Sequence, residues 1–306
     1  MHFSGLFLAV AGESTRVNTI RRLESWVYTE SKKCFFLLLA PDRQGEYVDP
    51  LEALLEVRGI TVRFGGITAL DDVSFDIPRD KVCGLIGPNG AGKTTLFNCL
   101  SRLYQYQAGD LRFEGKSITD TPVHKMTGLG IGRTFQNLAL FRTMTVRENI
   151  LVGAHTKSHA GFLKGLWPTA MVREEEAHLD HIAQDLMVKL KLTDVADRPA
   201  GALPFGFQKR VEFARALAAQ PRLLLLDEPA AGLNHEELSD LGNLIKWVRD
   251  DLGVTVLLVE HHMQLVMDVS DWIVVLNFGK KIAEGVPQTI QKHPEVVRAY
   301  LGGTSV

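Results

Sequence analysis

The sequence predicts an α/β fold: a mainly parallel sheet, an antiparallel β part and a helical segment inserted between the sheet-forming stretches. Three observations predict it. Short continuous apolar runs alternate with helical patterns over residues 206–276, as expected of parallel strands buried on both faces. A glycine-rich loop, Gly87–Thr94, separates one such run from a helical pattern. Between these parts, polar and charged helical patterns run from about Val146 to Lys191.

Taken in order, Leu54–Phe64 reads as a strand through its apolar Leu55, Val57, Ile60, Val62 and Phe64, and Ala69–Ile77 as a second strand. Lys81–Ile86 is short and continuous, the pattern of a buried strand, and Ala91–Leu103 reads as a helix. After the helical stretch come a helix (Gly206–Ala219), a strand (Leu223–Leu226), a helix (Glu236–Asp251), a strand (Val254–Val259), a helix (Met263–Val269) and a strand (Trp272–Leu276). Residues 1–52 show no clear period and no motif; they read as a poorly ordered extension or as an upstream start. The main domain is expected over 53–302, with its helical subdomain at about 140–220.

Composition narrows the function classes. The chain has 306 residues, 45% hydrophobic and 23% charged, enough for two modest domains or one large domain with an insertion. The net charge of −2 gives no electrostatic footprint for nucleic acid. Three cysteines (Cys34, Cys83, Cys99) cannot build a disulfide framework and read as reduced packing residues. A membrane-spanning helix needs about 20 apolar residues. The runs Phe35–Ala40, Leu223–Leu226 and Val254–Val259 are all far too short. The first 13 residues lack a basic segment, so a cleaved signal peptide is not expected.

The strongest motif is Gly87-Pro88-Asn89-Gly90-Ala91-Gly92-Lys93-Thr94, followed by Thr95, which fits the phosphate-binding P-loop. Glycines let successive N–H groups point into one concavity, and the following helix adds a partial positive charge. Lys93 supplies a point charge for β- and γ-phosphates, and Thr94 a hydroxyl for Mg²⁺. Leu223–Leu226 then ends in Asp227-Glu228, a buried strand delivering two carboxylates to a sheet edge where ligands bind. Asp227 suits Mg²⁺ through its water shell, and Glu228 suits orienting an attacking water. Together the two motifs imply a nucleoside triphosphatase.

Further segments resemble the ATP-binding cassette (ABC) family over about Leu54 to Leu301. Leu203–Leu217 resembles its signature segment, Gln136 its Q-loop, Ala231–Asn234 its D-loop and His261 its switch histidine, while Phe64 sits where the family stacks an aromatic against adenine. The resemblance implies ATP and Mg²⁺ as ligands. It gives Glu228, His261 and Gln136 catalytic roles and Thr94, Gln136 and Asp227 the metal. Nucleotide contacts would come from Phe64, residues 87–95, Leu203, Gly206 and Gln208. It also implies a head-to-tail dimer with ATP held between one P-loop and the other signature. His262 reads as a bystander and Asn234 as the cap of the next helix. Pro204, where the family places Ser, cannot donate a hydrogen bond, so that contact must rest on backbone N–H groups near Gly206.

Within the family, Pro204-Phe205-Gly206-Phe207, Gly132–Gln136, Leu140–Asn149 and the tail 283–302 resemble the ATP-binding subunits of branched-chain amino-acid importers. That resemblance implies two separate permease subunits and a second ATPase, homologous or identical. It also implies an extracytoplasmic solute-binding protein engaged indirectly, and a peripheral place on the cytoplasmic face of the membrane. Asn137–Asn149 and parts of 150–200 would form the permease groove. Importers of urea, amides or aromatic acids, a lipopolysaccharide-type exporter and a soluble ABC ATPase stand as alternatives. One P-loop, no sustained heptads and no Cys-x-x-Cys weigh against the last.

Overall fold

The computed structural model describes residues 53–134, 138–155 and 170–301. The expected extension 1–52, the Q-loop residue Gln136 and residues 302–306 lie outside them.

Two sheets form the frame. The strands β1 (Ala53–Phe64) and β2 (Ile67–Pro78) make an antiparallel hairpin turning at Gly65-Gly66, with Gly65 at φ 57°. They join β4 (Ala108–Phe113) and β5 (Lys116–Ser117) in a four-stranded sheet of order β2-β1-β4-β5. The second sheet runs β10-β9-β3-β8-β7-β6. Its members are β3 (Val82–Ile86), β6 (Ile131–Arg133), β7 (Leu223–Asp227), β8 (Thr255–Val259), β9 (Trp272–Asn277) and β10 (Lys280–Gly285). The pairs β9–β3, β3–β8, β8–β7 and β7–β6 are parallel, and β10 closes the edge antiparallel to β9.

Successive side chains of the central strands enter different cores, as a period of two requires. Cys83 and Leu85, Leu223 and Leu225, and Leu257 and Val259 pack with the antiparallel sheet and with α1 (Lys93–Leu100). Ile86, Leu224 and Leu226, and Val256 and Leu258 pack with helices. Those helices are α2 (Val146–Ala154), α3 (Ala170–Lys189), α4 (Phe205–Ala218), α5 (His235–Asp250), α6 (Met263–Val269), α7 (Pro287–Lys292) and α8 (Pro294–Leu301). The four leucines of β7 are fully buried, each stabilising by about 2 kcal/mol.

Differences from expectation have local causes. The helix expected over Ala91–Leu103 spans Lys93–Leu100. Gly92, at φ 100°, precedes it, and the Ser101 hydroxyl donates to the Phe97 carbonyl at 3.0 Å as Arg102 turns to φ 60°. The strands β4, β5, β6 and β10 and the helices α7 and α8 add to the elements expected. The helices α2 and α5 start at capping boxes, Thr145 with Glu148 and Asn234 with Glu237, so the capping reading of Asn234 holds.

Candidate active site

The phosphate loop is shaped by what its glycines leave out. A Cβ on Gly87 would stand 2.2 Å from the Leu276 carbonyl oxygen of β9, and one on Gly92 2.8 Å from the Ala69 carbonyl oxygen. Both glycines have positive φ, so the loop is pressed between β2 and β9 in a conformation other residues resist. The helix α1 opens at Gly92 with no side-chain cap, leaving its first N–H groups to a ligand. The Lys93 ammonium donates to the Gly87 and Pro88 carbonyls at 2.7 and 3.1 Å. Burial lowers its pKa, and Glu228 opposes the shift, which places that carboxylate within electrostatic reach. Thr94, Asn89 and Gly90 are exposed, while Pro88 and Thr95 are half-buried.

At the end of β7, Asp227 is 4% exposed and faces the Arg133 guanidinium of β6 at 3.4 Å. Burial raises its pKa, opposed by Arg133, whose own pKa burial lowers. Arg133 also donates to the Ser101 hydroxyl and lies over the Phe97 ring. Glu228 follows at φ 46°, its N–H bonded to the Val259 carbonyl at 2.9 Å. A carboxylate held in the left-handed region at a sheet edge is backbone strain of the kind that collects at functional sites. The hydroxyl of Thr94 and the carboxylate of Asp227 are hard oxygen donors, and with the glycine cradle and Lys93 they fit a Mg²⁺-bound triphosphate.

The segment expected to be the signature is built against α5. Leu203 is buried, and its carbonyl accepts from the Gln208 side-chain amide at 2.7 Å. Pro204 and Phe205 are exposed at the start of α4. A Cβ on Gly206 would meet the Glu237 carboxylate at 2.5 Å, and Gly232 sits against the Phe205 ring. A cavity of about 410 Å³ opens beside these residues, lined among others by Gly206, Glu237, Trp247 and Thr134. No residue of 87–95 lines it, so it is not the nucleotide cradle. Phe64, half exposed, meets Tyr104 edge-on with ring centroids 5.8 Å apart. An exposed ring face suits stacking on a base.

Three residues of this region carry contacts that motif reading did not single out. Arg133 pairs with Asp227. Glu260 is 1% exposed; its carboxylate accepts from Ala230 N–H at 2.7 Å, His261 N–H at 3.0 Å and His262 N–H at 3.2 Å, and lies 3.1 Å from His262 Nδ1. His262 is therefore the held histidine, and the His261 side chain is 55% exposed. Tyr300, on α8, reaches the phosphate loop from the chain's far end. Burial pushes its hydroxyl up to about 12, opposed by a hydrogen bond with the Gly87 backbone. Only burial, which sequence does not display, separates Glu260 from any polar residue beside a histidine.

The chain resembles known proteins in sequence and fold. Residues 70–231 match the ABC transporter family model, and residues 280–305 match that of the branched-chain amino acid ATP-binding cassette transporters. The high-affinity branched-chain amino acid transport ATP-binding protein BraF of Pseudomonas aeruginosa is 47% identical over 249 residues, spanning 81% of this chain and 98% of its own length. LivG of Escherichia coli, of the same description, is 41% identical over 251 residues, spanning 82% and 98%. Among solved structures, the ADP conformation of MJ1267, an ATP-binding cassette of an ABC transporter, superposes with a TM-score of 0.71 at 33% identity, covering 82% of this chain and 99% of its own.

Proposed function

Because the chain belongs to the ABC transporter family, and at residues 280–305 to its branched-chain amino acid branch, we propose that it binds and hydrolyses ATP to energise uptake of branched-chain amino acids through separate permeases. The observation that carries this reading is the pairing of the glycine-shaped loop 87–94 with the acidic edge Asp227-Glu228, on a chain that spans 98% of BraF. Residues 53–302 are the ATP-binding domain, with a helical subdomain at about 140–220 and a branch-specific element at 283–302.

The residues divide the work as follows. The backbone of 87–92 and the first turn of α1 cradle phosphates, and Lys93 neutralises their charge. Phe64 offers a face to adenine. Thr94 and Asp227 would hold Mg²⁺ together with Gln136, and Arg133 fixes the Asp227 carboxylate. Mg²⁺, when bound, neutralises charge that develops on the phosphates. Glu228 orients the attacking water, and His261 donates to the γ-phosphate. Leu203, Gly206 and Gln208 present the N-terminus of α4 to the nucleotide of a second cassette. Among the described residues no helix is long and apolar enough to cross a membrane; the membrane path is assigned to the permease chains. Within the segment that would meet them, 137–149 with parts of 150–200, residues 141–145 are tied by buried Asn149: its side chain accepts from Phe141 N–H at 3.0 Å and donates to the Phe141, Met144 and Thr145 carbonyls. The place expected is the cytoplasmic face of the membrane.

Affinity capture from detergent-solubilised membranes through a C-terminal tag, with ATP present, tests this. Recovery of two permeases and a second ATPase subunit is expected. A chain found only in the soluble fraction under every nucleotide condition overturns the transport reading.

A further inference from the structure

The Glu260 carboxylate is buried where β8 ends, and both its oxygens are used. Oε1 accepts from Ala230 N–H, two residues beyond Glu228. Oε2 accepts from the N–H groups of His261 and His262 and faces the His262 ring. One carboxylate thus spans the loop that carries Glu228 and the loop that carries His261. The same loops are joined a step lower by Glu228 N–H on the Val259 carbonyl and by the Asp227–Val259 register. An ion of this kind with partial positive N–H dipoles on both sides is a charge-assisted clamp, and a neutral amide cannot replace it because it would turn a donor toward a donor.

We infer that Glu260 is a positioning residue for hydrolysis, fixing the spacing between the Glu228 carboxylate and the His261 ring through the backbone of both loops. Its carboxylate is 1% exposed and bonded to backbone N–H groups, so it acts through the loops it joins. Its effect lies in where the His261 ring sits relative to Glu228, so its loss lowers turnover only while His261 is present and leaves nucleotide binding at residues 87–94 nearly unchanged. It also makes the two loops move as one body when either meets a phosphate.

The inference rests on the proposed ATPase reading, and the experiment separates the two. Steady-state ATP hydrolysis by the full chain with Mg²⁺ is measured for the wild type, Glu260→Gln, His261→Ala and the double variant. Expected are a kcat about tenfold lower for Glu260→Gln with KM within about twofold, and less than about twofold further loss when Glu260→Gln is added to His261→Ala, because residues acting as a unit are not additive. Where Glu260→Gln does not fold, Glu260→Asp keeps the buried charge but is one methylene too short to reach both loops, and the same losses are expected. A folded variant with kcat within about twofold of wild type, or losses that multiply in the double variant, overturns the inference. A wild-type chain that hydrolyses no ATP overturns the ATPase reading and this inference with it.

Discussion

Gly87 and Glu260 each close a loop of the candidate site, the first by having no side chain and the second by burying one. At Gly87 the backbone meets the Leu276 carbonyl so closely that any Cβ would overlap it. At Glu260 two loops come together because a carboxylate lies between their N–H groups. The phosphate loop is therefore shaped by exclusion, which depends on which residues are small, and the acidic edge by attraction, which depends on where a charge is buried. A loop held by exclusion is rigid before its ligand arrives. A loop held by a shared ion can carry a shift from one strand end to the next.

Substitutions on either side sharpen this contrast. The largest effect is expected at the acidic edge. Glu228→Gln should lower ATP turnover about 10³-fold, in the range of a lost general base, while ATP still binds and a closed dimer accumulates. Phosphate release together with gel filtration in ATP reads both, and wild-type turnover would remove Glu228 from its role. Next, Gly87→Ala should cost about 3 kcal/mol of stability, from overpacking against β9 plus an unfavourable φ, read as a shift of the urea midpoint. An unchanged midpoint would show that the loop yields, and the contrast would fail. Asn234→Ala removes the cap that accepts from Glu237 N–H at 3.0 Å and should cost about 1 kcal/mol by the same measurement. The smallest effect belongs to the antiparallel sheet. Hydrogen bonds from Ser117, Arg112 and Thr119 hold the Asp110 carboxyl down to about 2 from its usual 3.8. Its stabilisation is complete above about pH 4 and is lost as pH falls through about 2. Asp110 is near the surface and screened, so Asp110→Asn should flatten the acid limb of the stability profile only slightly. An NMR titration of the carboxyl should show a midpoint near 2.

The same contrast explains what could be read from residues alone. The P-loop was legible because glycine spacing states its own geometry, and Leu223–Glu228 because four leucines before two acids mark a buried strand reaching an edge. The fold class followed from these and from the alternation after Gly206. The strand β4 was not legible: in Ala108–Phe113 only Leu111 and Phe113 are buried apolar residues, too few to show a period. The strand β6, three residues long, owes its place to parallel pairing with β7. At Glu260-His261-His262 the sequence pointed to the first histidine and passed over the carboxylate, because burial and pairing across residues 230 and 260 are tertiary facts.

The strand that leads into the phosphate loop has a further consequence, in time. β3 lies between β8 and β9, and Val82 N–H is bonded to Asp271, 189 positions later in the chain. At synthesis rates of about 5–20 residues per second, the ribosome needs roughly 10–40 s after making β3 to produce those neighbours. Until β8 is made, the strand leading into the phosphate loop has neither of its sheet partners, and until β9 is made it has only one. The phosphate loop can pack against the Leu276 carbonyl only once β9 has been made.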